Sequence, residues 1–174
     1  LAADGVKIYP YEDVYSYVQT VAEDKKILLS KANVNSRLVS NIPCNVTIVD
    51  EPNLTLLPKA VKNQTEMDNE RTAHIKDGVA VTKFIRWMKT NERITELGAA
   101  EKLYQFRSEQ EHFIGDSFDP IIAYGKHAAI VHYSATEETD IPLEARGMVL
   151  ADTGGHYLEG TTDITRTIVL GPVT

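Results

Sequence analysis

The sequence has one cysteine, no long apolar run and no excess of basic residues, and each shortage excludes a class of protein. Cys44 is the only cysteine among 174 residues, which excludes an internal disulfide framework and favours a reducing, cytoplasmic location. No apolar run reaches the roughly 20 residues of a membrane span. Residues 1–4 lack the basic start and apolar core of a signal peptide. The net charge of −7 argues against a nucleic-acid partner.

What is present is the composition of a packed soluble protein, with short apolar strands and helical spacing alternating over the first fifty residues. This alternation predicts a parallel α/β arrangement, and its few strands are typical of the end of a larger domain. The predicted strands lie at 6–9, 27–29 and 46–49, and the predicted helices at 14–21 and 33–40. A proline-containing stretch at 51–58 places the predicted domain boundary between residues 57 and 58.

The second region, 58–174, changes pattern from helices to strands. Apolar residues recur at helical spacing over 66–89, with Thr65 as the predicted cap, and Thr95 is predicted to cap a second helix. Extended segments follow at 121–124, 128–131, 148–151 and 164–170. Helices followed by an antiparallel sheet predict an α+β domain.

Two aspartates flank a glycine-containing turn near Thr174, as in a β-hairpin that presents two acids to a metal. Asp152 ends an apolar run and Asp163 begins a β-branched run. In a symmetric hairpin centred between Tyr157 and Leu158 they face each other, with Cβ atoms about 4.5–5.5 Å apart. Two like charges there repel, and a hard cation such as Mn²⁺ or Mg²⁺ would reverse the penalty. Two metals about 3.5–4 Å apart could share one bridging carboxylate.

The spacing alone leaves alternatives open. Gly160 suits the left-handed position of a three-residue turn, which would put the two aspartates on opposite faces of the hairpin. A compensating bulge at Gly154–Gly155 would then be needed for a shared site. Both aspartates could equally be residues that merely flank a turn.

Four segments in a fixed order carry a family resemblance. They are Lys62-Asn63, Glu66, Arg71 and Ala73–Gly78 with Phe84 and Trp87; Thr95–Leu97 with Phe106-Arg107; Ser117-Phe118, Gly125 and Ala129–Tyr133; and the hairpin, Asp152–Tyr157 with Gly160–Thr167. Together they resemble the metallopeptidases of pita-bread fold, and among them the Xaa-Pro aminopeptidases (aminopeptidase P). The resemblance is strong over about 60–174. Residues 1–57 match more loosely, as the end of the noncatalytic, creatinase-N-like α/β domain that precedes the catalytic one.

The resemblance implies a reaction and a site. The reaction is release of the N-terminal residue from peptides with proline in second position. Asp152 would bind one of two divalent metal ions and Asp163 would bridge both, with Mn²⁺ favoured over Zn²⁺ or Co²⁺. His132 would hydrogen-bond the substrate carbonyl or the developing oxyanion, and Thr165 would orient a carboxylate ligand. The whole enzyme is expected to be a homodimer with a peptide substrate, without nucleic-acid or membrane partners.

The family's remaining ligands, one histidine and two glutamates, have no match before Thr174. We therefore expect the 174-residue chain alone to be inactive and to hold metal poorly. Three alternatives are a prolidase, which cleaves dipeptides ending in proline, a noncatalytic pita-bread module that binds proteins, and a creatinase, which is a metal-free hydrolase. The aspartate pair argues against the last two and is shared by the first.

Overall fold

The computed structural model describes residues 2–173. Leu1 and Thr174 lie outside the described residues. Leu1 is the first residue of the segment, 1–4, that was compared with a signal peptide. The chain forms two compact units, Leu1–Val61 and Lys62–Thr174, so the division falls between residues 61 and 62, against a predicted boundary between 57 and 58. No helix within residues 2–173 is long and apolar enough to cross a membrane.

The first unit is built around two parallel strands, β1 (Lys26–Leu29) and β2 (Thr47–Asp50). Helix α1 (Asp13–Gln19) precedes β1, α2 (Ser36–Ser40) connects the strands, and α3 (Leu56–Ala60) follows β2. The buried core consists of Val18, Leu29, Ile42 and Val46. The predicted alternation of helix and strand is confirmed for these elements.

The predicted first strand, at 6–9, is wrong. Ile8 and Tyr9 are 71% and 66% exposed, and no neighbouring strand pairs with this segment within residues 2–61. A strand without a partner leaves its backbone groups unpaired, so the β-type composition alone does not form one. The parallel sheet therefore has two described strands where three were expected.

The second unit opens with α4 (Gln64–Thr90), whose start is fixed by a capping box. The Glu66 N–H donates to Asn63 Oδ1 at 2.9 Å, and the Asn63 N–H donates to Glu66 Oε2 at 2.8 Å. The predicted cap, Thr65, was wrong and lies inside the helix, because Asn63 and Glu66 satisfy the first N–H groups reciprocally. The next helix, α5 (Glu96–Ser108), is capped as predicted by Thr95, whose Oγ1 accepts from the Gly98 N–H at 3.1 Å.

Two small antiparallel sheets follow. β4 (Ile121–Tyr124), β5 (Met148–Thr153) and β7 (Ile164–Val169) form one, with β5 in the centre. β3 (Phe113–Asp116) pairs with β6 (Gly155–Tyr157) in the other. Helices α4 and α5 cover one face of the three-stranded sheet through a core that includes Phe84, Met88, Leu103, Ile122, Val149, Ala151 and Ile168. The predicted α+β architecture of this region is confirmed.

The strand predicted at 128–131 is wrong. Gly125–Ala129 forms a 3₁₀ turn instead, and a loop follows it. Ile130 and Val131 are 53% and 82% exposed, whereas the His127 ring is buried. The apolar side chains of this run therefore face solvent, and the polar ring of His127 faces the protein interior instead.

Candidate functional site

The hairpin that carries Asp152 and Asp163 turns at a two-residue tip, Leu158–Glu159. Tyr157 and Gly160 flank the tip and exchange backbone hydrogen bonds, with the Tyr157 N–H donating at 2.8 Å and the Gly160 N–H donating at 3.2 Å. The centre of the hairpin therefore lies between Leu158 and Glu159, one residue later than predicted. The three-residue turn considered for Gly160 is replaced by this shorter tip.

This register corrects the predicted direct pairing of the two aspartates. Asp152 lies opposite Thr165, and Asp163 lies two residues before that partner. Side chains alternate between the two faces of a strand with a period of two, so an offset of two residues keeps both aspartates on one face. The aspartates are therefore same-face neighbours, although they are not directly opposite each other.

Asp152, Asp163 and Thr165 lie on the sheet face that α4 and α5 leave uncovered. Asp163 is exposed and Asp152 is half-buried. Thr165 Oγ1 donates to Asp152 Oδ1 at 2.7 Å. Within residues 2–173, no other side chain makes a hydrogen bond or ion pair with either carboxylate, so their negative charge has no cationic partner.

The donor chemistry of this face suits a hard divalent cation but supplies too few ligands to enclose one. Carboxylate oxygens are the ligands that Mn²⁺ and Mg²⁺ favour. Among the residues that the structure describes, no group of three or more His, Cys, Asp or Glu side chains could hold a metal ion. The two aspartates would therefore hold a metal only together with further ligands.

Gly154 lies beside this site and is required by close packing. A Cβ there would overlap the Thr162 carbonyl oxygen and Ser117 Oγ. Ser117 joins the two sides of the hairpin, since its N–H donates to the Gly154 carbonyl at 3.0 Å and its hydroxyl donates to the Thr162 carbonyl at 2.9 Å. The strand pairing of the hairpin keeps the same register on both sides of Gly154, so the bulge considered at Gly154–Gly155 is not needed.

A buried ion pair anchors the opposite face of the hairpin. Asp77 of α4 and Arg107 of α5 are 0% and 1% exposed, and Arg107 Nε donates to Asp77 Oδ1 at 2.7 Å. Arg107 also donates to Thr153 Oγ1 at 3.0 Å, and the Thr162 hydroxyl donates to Asp77 Oδ2 at 2.6 Å. Because Asp163 follows Thr162 directly, the network fixes the backbone from which Asp163 projects.

Sequence reasoning missed this network, although α4 carries a signal for it. Asp77 interrupts a buried stripe that is otherwise apolar, formed by Ala73, Ala80, Val81, Phe84 and Met88. An acid on an apolar stripe requires a buried partner, since an unpaired charge is costly there. The Tyr157 hydroxyl adds a bond to Asp77 at 3.1 Å, and burial, with the charge of Asp77, raises the pKa of Tyr157, so the hydroxyl remains a donor.

His132 lies outside the sheets, in the loop after the 3₁₀ turn. It is exposed, and its φ of 56° is left-handed. The 3₁₀ turn packs against β4 and β5, so the loop starts beside the strand that carries Asp152. Within residues 2–173, no hydrogen bond joins His132 to Asp152 or Asp163.

The hairpin tip is held by charge-assisted hydrogen bonds to Glu159. Lys76 Nζ donates to Glu159 Oε1 at 2.6 Å, and His112 Nδ1 lies 2.7 Å from the same oxygen. The Leu158 N–H donates to the His112 carbonyl at 3.1 Å. The hydrogen bond from Lys76, followed by that from His112, lowers the pKa of Glu159 to about 2.

We expect Glu159→Gln to be less stable than the wild type at neutral pH, and the difference to vanish in acid. A carboxyl whose folded-state pKa is lowered stabilises the fold fully above its unfolded pKa of about 4.3. That contribution is lost as the pH falls from there towards 2. Urea midpoints of both proteins, measured from pH 7 downwards, should converge over this window. The exposed Glu92→Gln is the control, and a difference for Glu159→Gln that stays constant with pH would contradict the assignment.

Two protein-family models match the chain. The model described as metallopeptidase family M24 matches residues 68–174. The model described as Creatinase/Prolidase N-terminal domain matches residues 1–66. The two matches follow the two compact units closely.

Curated relatives match nearly all of this chain. Xaa-Pro aminopeptidase 1 of Dictyostelium discoideum is 38% identical over 182 residues, which cover 98% of this chain and 28% of that protein. Probable Xaa-Pro aminopeptidase P of Arthroderma gypseum is 35% identical over 184 residues, which cover 97% of this chain and 29% of that protein. The chain thus spans less than a third of the length of these relatives.

Solved structures share the fold. X-prolyl aminopeptidase from Caenorhabditis elegans, described as a cytosolic enzyme with a di-nuclear active site, superimposes with a TM-score of 0.85 at 30% identity. The match covers 99% of this chain and 30% of that one. Prolidase from Pyrococcus furiosus superimposes with a TM-score of 0.74 at 22% identity, over 97% of this chain and 48% of that one. At that identity the prolidase shows a shared fold alone.

Proposed function

This chain belongs to metallopeptidase family M24, and from that premise we propose that the whole protein releases the N-terminal residue from peptides with proline in second position. The predicted family and fold, a pita-bread region preceded by a creatinase-N-like region, are confirmed. Relatives named Xaa-Pro aminopeptidase support the activity. The observation that carries the proposal is the pair Asp152 and Asp163 on one open sheet face, without a cationic partner within residues 2–173.

We propose that the site holds two divalent metal ions, with Asp152 as a ligand of one and Asp163 as a bridge between both. The C. elegans enzyme, with its di-nuclear active site, supports the number. Mn²⁺ is our proposed metal because the known donors are carboxylate oxygens, and Zn²⁺ and Co²⁺ are the alternatives. When bound, such ions activate a water and polarise a carbonyl. The described residues supply two ligands, so the others would have to come from elsewhere in the whole protein.

The side chains of this chain would do two further tasks. Thr165, which donates to Asp152 Oδ1, would fix the direction of that carboxylate and leave Oδ2 for the metal. The His132 ring would donate a hydrogen bond to the substrate carbonyl, and this bond would strengthen as negative charge develops on the oxygen. The imide bond to proline carries no N–H, so selection would depend on a pocket shaped for the proline ring.

The whole protein supplied with Mn²⁺ is expected to release the first residue of an Xaa-Pro-Xaa tripeptide and to leave the matched Xaa-Ala-Xaa peptide intact. Chromatography of the released amino acid measures both. An Xaa-Pro dipeptide separates this function from a prolidase, and a preference for the dipeptide would contradict the proposal. Absence of bound Mn²⁺, Zn²⁺ and Co²⁺ in a chelator-free preparation would instead favour a noncatalytic module.

The isolated 174-residue chain is the control for that experiment. We expect it to cleave no Xaa-Pro peptide, because Asp152 and Asp163 alone cannot hold two metals against water. Mn²⁺-dependent cleavage by the isolated chain would contradict this expectation.

We also propose that the whole protein is a cytoplasmic homodimer. The location is supported by the C. elegans enzyme, which is described as cytosolic. The homodimer stays a prediction, and the mass of the whole protein in solution, measured by light scattering, tests it. A monomer mass at micromolar concentration would contradict it.

A further inference from the structure

One buried carboxylate accepts hydrogen bonds from the segment that carries His132. Glu96, the first residue of α5, is 0% exposed, and its oxygens contact three residues of that segment. Oε1 accepts from the Tyr124 N–H at 2.8 Å, and Oε2 accepts from the Tyr133 hydroxyl at 2.7 Å. His127 Nδ1 lies 3.0 Å from both oxygens. We call this cluster of Glu96 with Tyr124, His127 and Tyr133 the clamp.

The clamp is a polar network, and none of its fully buried side-chain nitrogen and oxygen atoms lacks a hydrogen-bond partner. The rings of His127 and Tyr133 stack with centroids 4.5 Å apart and planes 27° apart. Burial, with the adjacent Glu96 carboxylate, raises the pKa of Tyr133, so its hydroxyl remains a donor. Glu96 also lies in the first turn of a helix, where negative charge is favoured. A buried network of this kind is rigid when every member is paired.

Between His127 and Tyr133 the side chains face solvent, and the backbone adopts an unfavourable conformation at His132. His132 directly precedes Tyr133 and has a φ of 56°. A residue with a side chain in that left-handed region costs about 1–3 kcal/mol and persists only where its surroundings impose it. Tyr133, one residue later, is held at two points: its N–H donates to the Ile130 carbonyl at 3.3 Å, which closes a turn around His132, and its hydroxyl donates to Glu96.

We propose that Glu96, His127 and Tyr133 are positioning residues that fix the His132 ring at the metal site. This inference rests on the proposed function for what His132 does, and on the observed clamp for how His132 is held. A catalytic group misplaced by about 1 Å can cost about 100-fold in rate, so a rigid support at the residue next to His132 would help to keep the ring in place. None of the three positioning residues needs to contact substrate.

A double-mutant cycle in the whole protein tests the coupling. Tyr133→Phe, which removes one hydroxyl, is expected to lower kcat for an Xaa-Pro tripeptide about tenfold and to leave KM and metal content unchanged. In a His132→Ala background the same change should alter kcat by less than about twofold, because nothing remains to be positioned. Tyr104→Phe, on the exposed side of α5, is the matched control. Equal losses in both backgrounds would overturn the inference.

A second measurement needs no activity. In the whole protein, the assigned ring NMR signals should shift for His127 and His132 in Tyr133→Phe and stay unchanged for His74, His112 and His156. A shift at His127 without one at His132 would overturn the inference. If this pattern holds while the whole protein cleaves no Xaa-Pro peptide, the proposed function fails and the positioning of His132 stands.

Discussion

Replacing Asp163 by asparagine in the whole protein is expected to lower kcat/KM for an Xaa-Pro tripeptide by about a thousandfold or more. Loss of a group that only supports a metal ligand costs about 10–100-fold, so loss of the charge that would bridge two metals should exceed this. The substitution keeps the size of the side chain and removes only its charge. Steady-state kinetics with metal analysis of the same preparation would measure activity and bound metal together, and both should fall.

Two further variants serve as references for the loss of activity in Asp163→Asn. Asp24→Asn makes the same chemical change at an exposed position of the first unit and should leave activity unchanged. Thr165→Val removes the hydroxyl that donates to Asp152 and should fall between the two. Full activity of Asp163→Asn would show that Asp163 merely flanks a turn, the alternative that its spacing in the sequence left open.

Replacing Arg107 by methionine is expected to lower the free energy of unfolding by about 3–5 kcal/mol. The substitution leaves Asp77 as a buried charge without its partner, and breaking one half of such a pair costs that much. It also removes the donor to Thr153 on the hairpin. Urea unfolding followed by circular dichroism would measure the loss, which is a large share of the 5–15 kcal/mol that holds most domains folded.

Arg71→Met is the matched control for that variant. Arg71 also pairs with an aspartate, Asp68, at 2.7 Å, but its side chain is 67% exposed. Exposed pairs contribute about 0–1 kcal/mol because water and salt screen them. Similar losses for Arg107→Met and Arg71→Met would contradict a special role for the buried pair.

Local patterns in the sequence predicted most elements, and distant contacts explain the failures. The cap at Thr95 was predictable because its partner is three residues away. The run at 128–131 looked like a strand because its neighbours are apolar, yet Glu96, 31 residues before His127, decides its shape. The hairpin tip was placed one residue early because nothing near it in sequence reveals that Lys76 holds Glu159.

The site itself was predictable only in part. Spacing indicated that Asp152 and Asp163 belong to one hairpin. Placing the centre one residue early shifts each cross-strand partner by two residues, and a shift of two leaves both aspartates on one face of the hairpin. The proposed roles of His132 and Thr165 come from the family resemblance, since an exposed histidine in a loop carries no local signal. The clamp next to His132 was not predicted, because an acidic residue such as Glu96 is common in the first turn of a helix.

Strand β7, which carries Thr165, also has a consequence for handling this chain. Within residues 2–173 it is an outer strand of its sheet, and five of its six residues are β-branched, with Arg166 as the exception. Such an edge offers unpaired backbone groups to any other extended chain, and a single charge is a weak deterrent. The strand that supports the candidate site is therefore also an open edge of the described surface at which aggregation can start, and Arg166 is the one charged side chain on it.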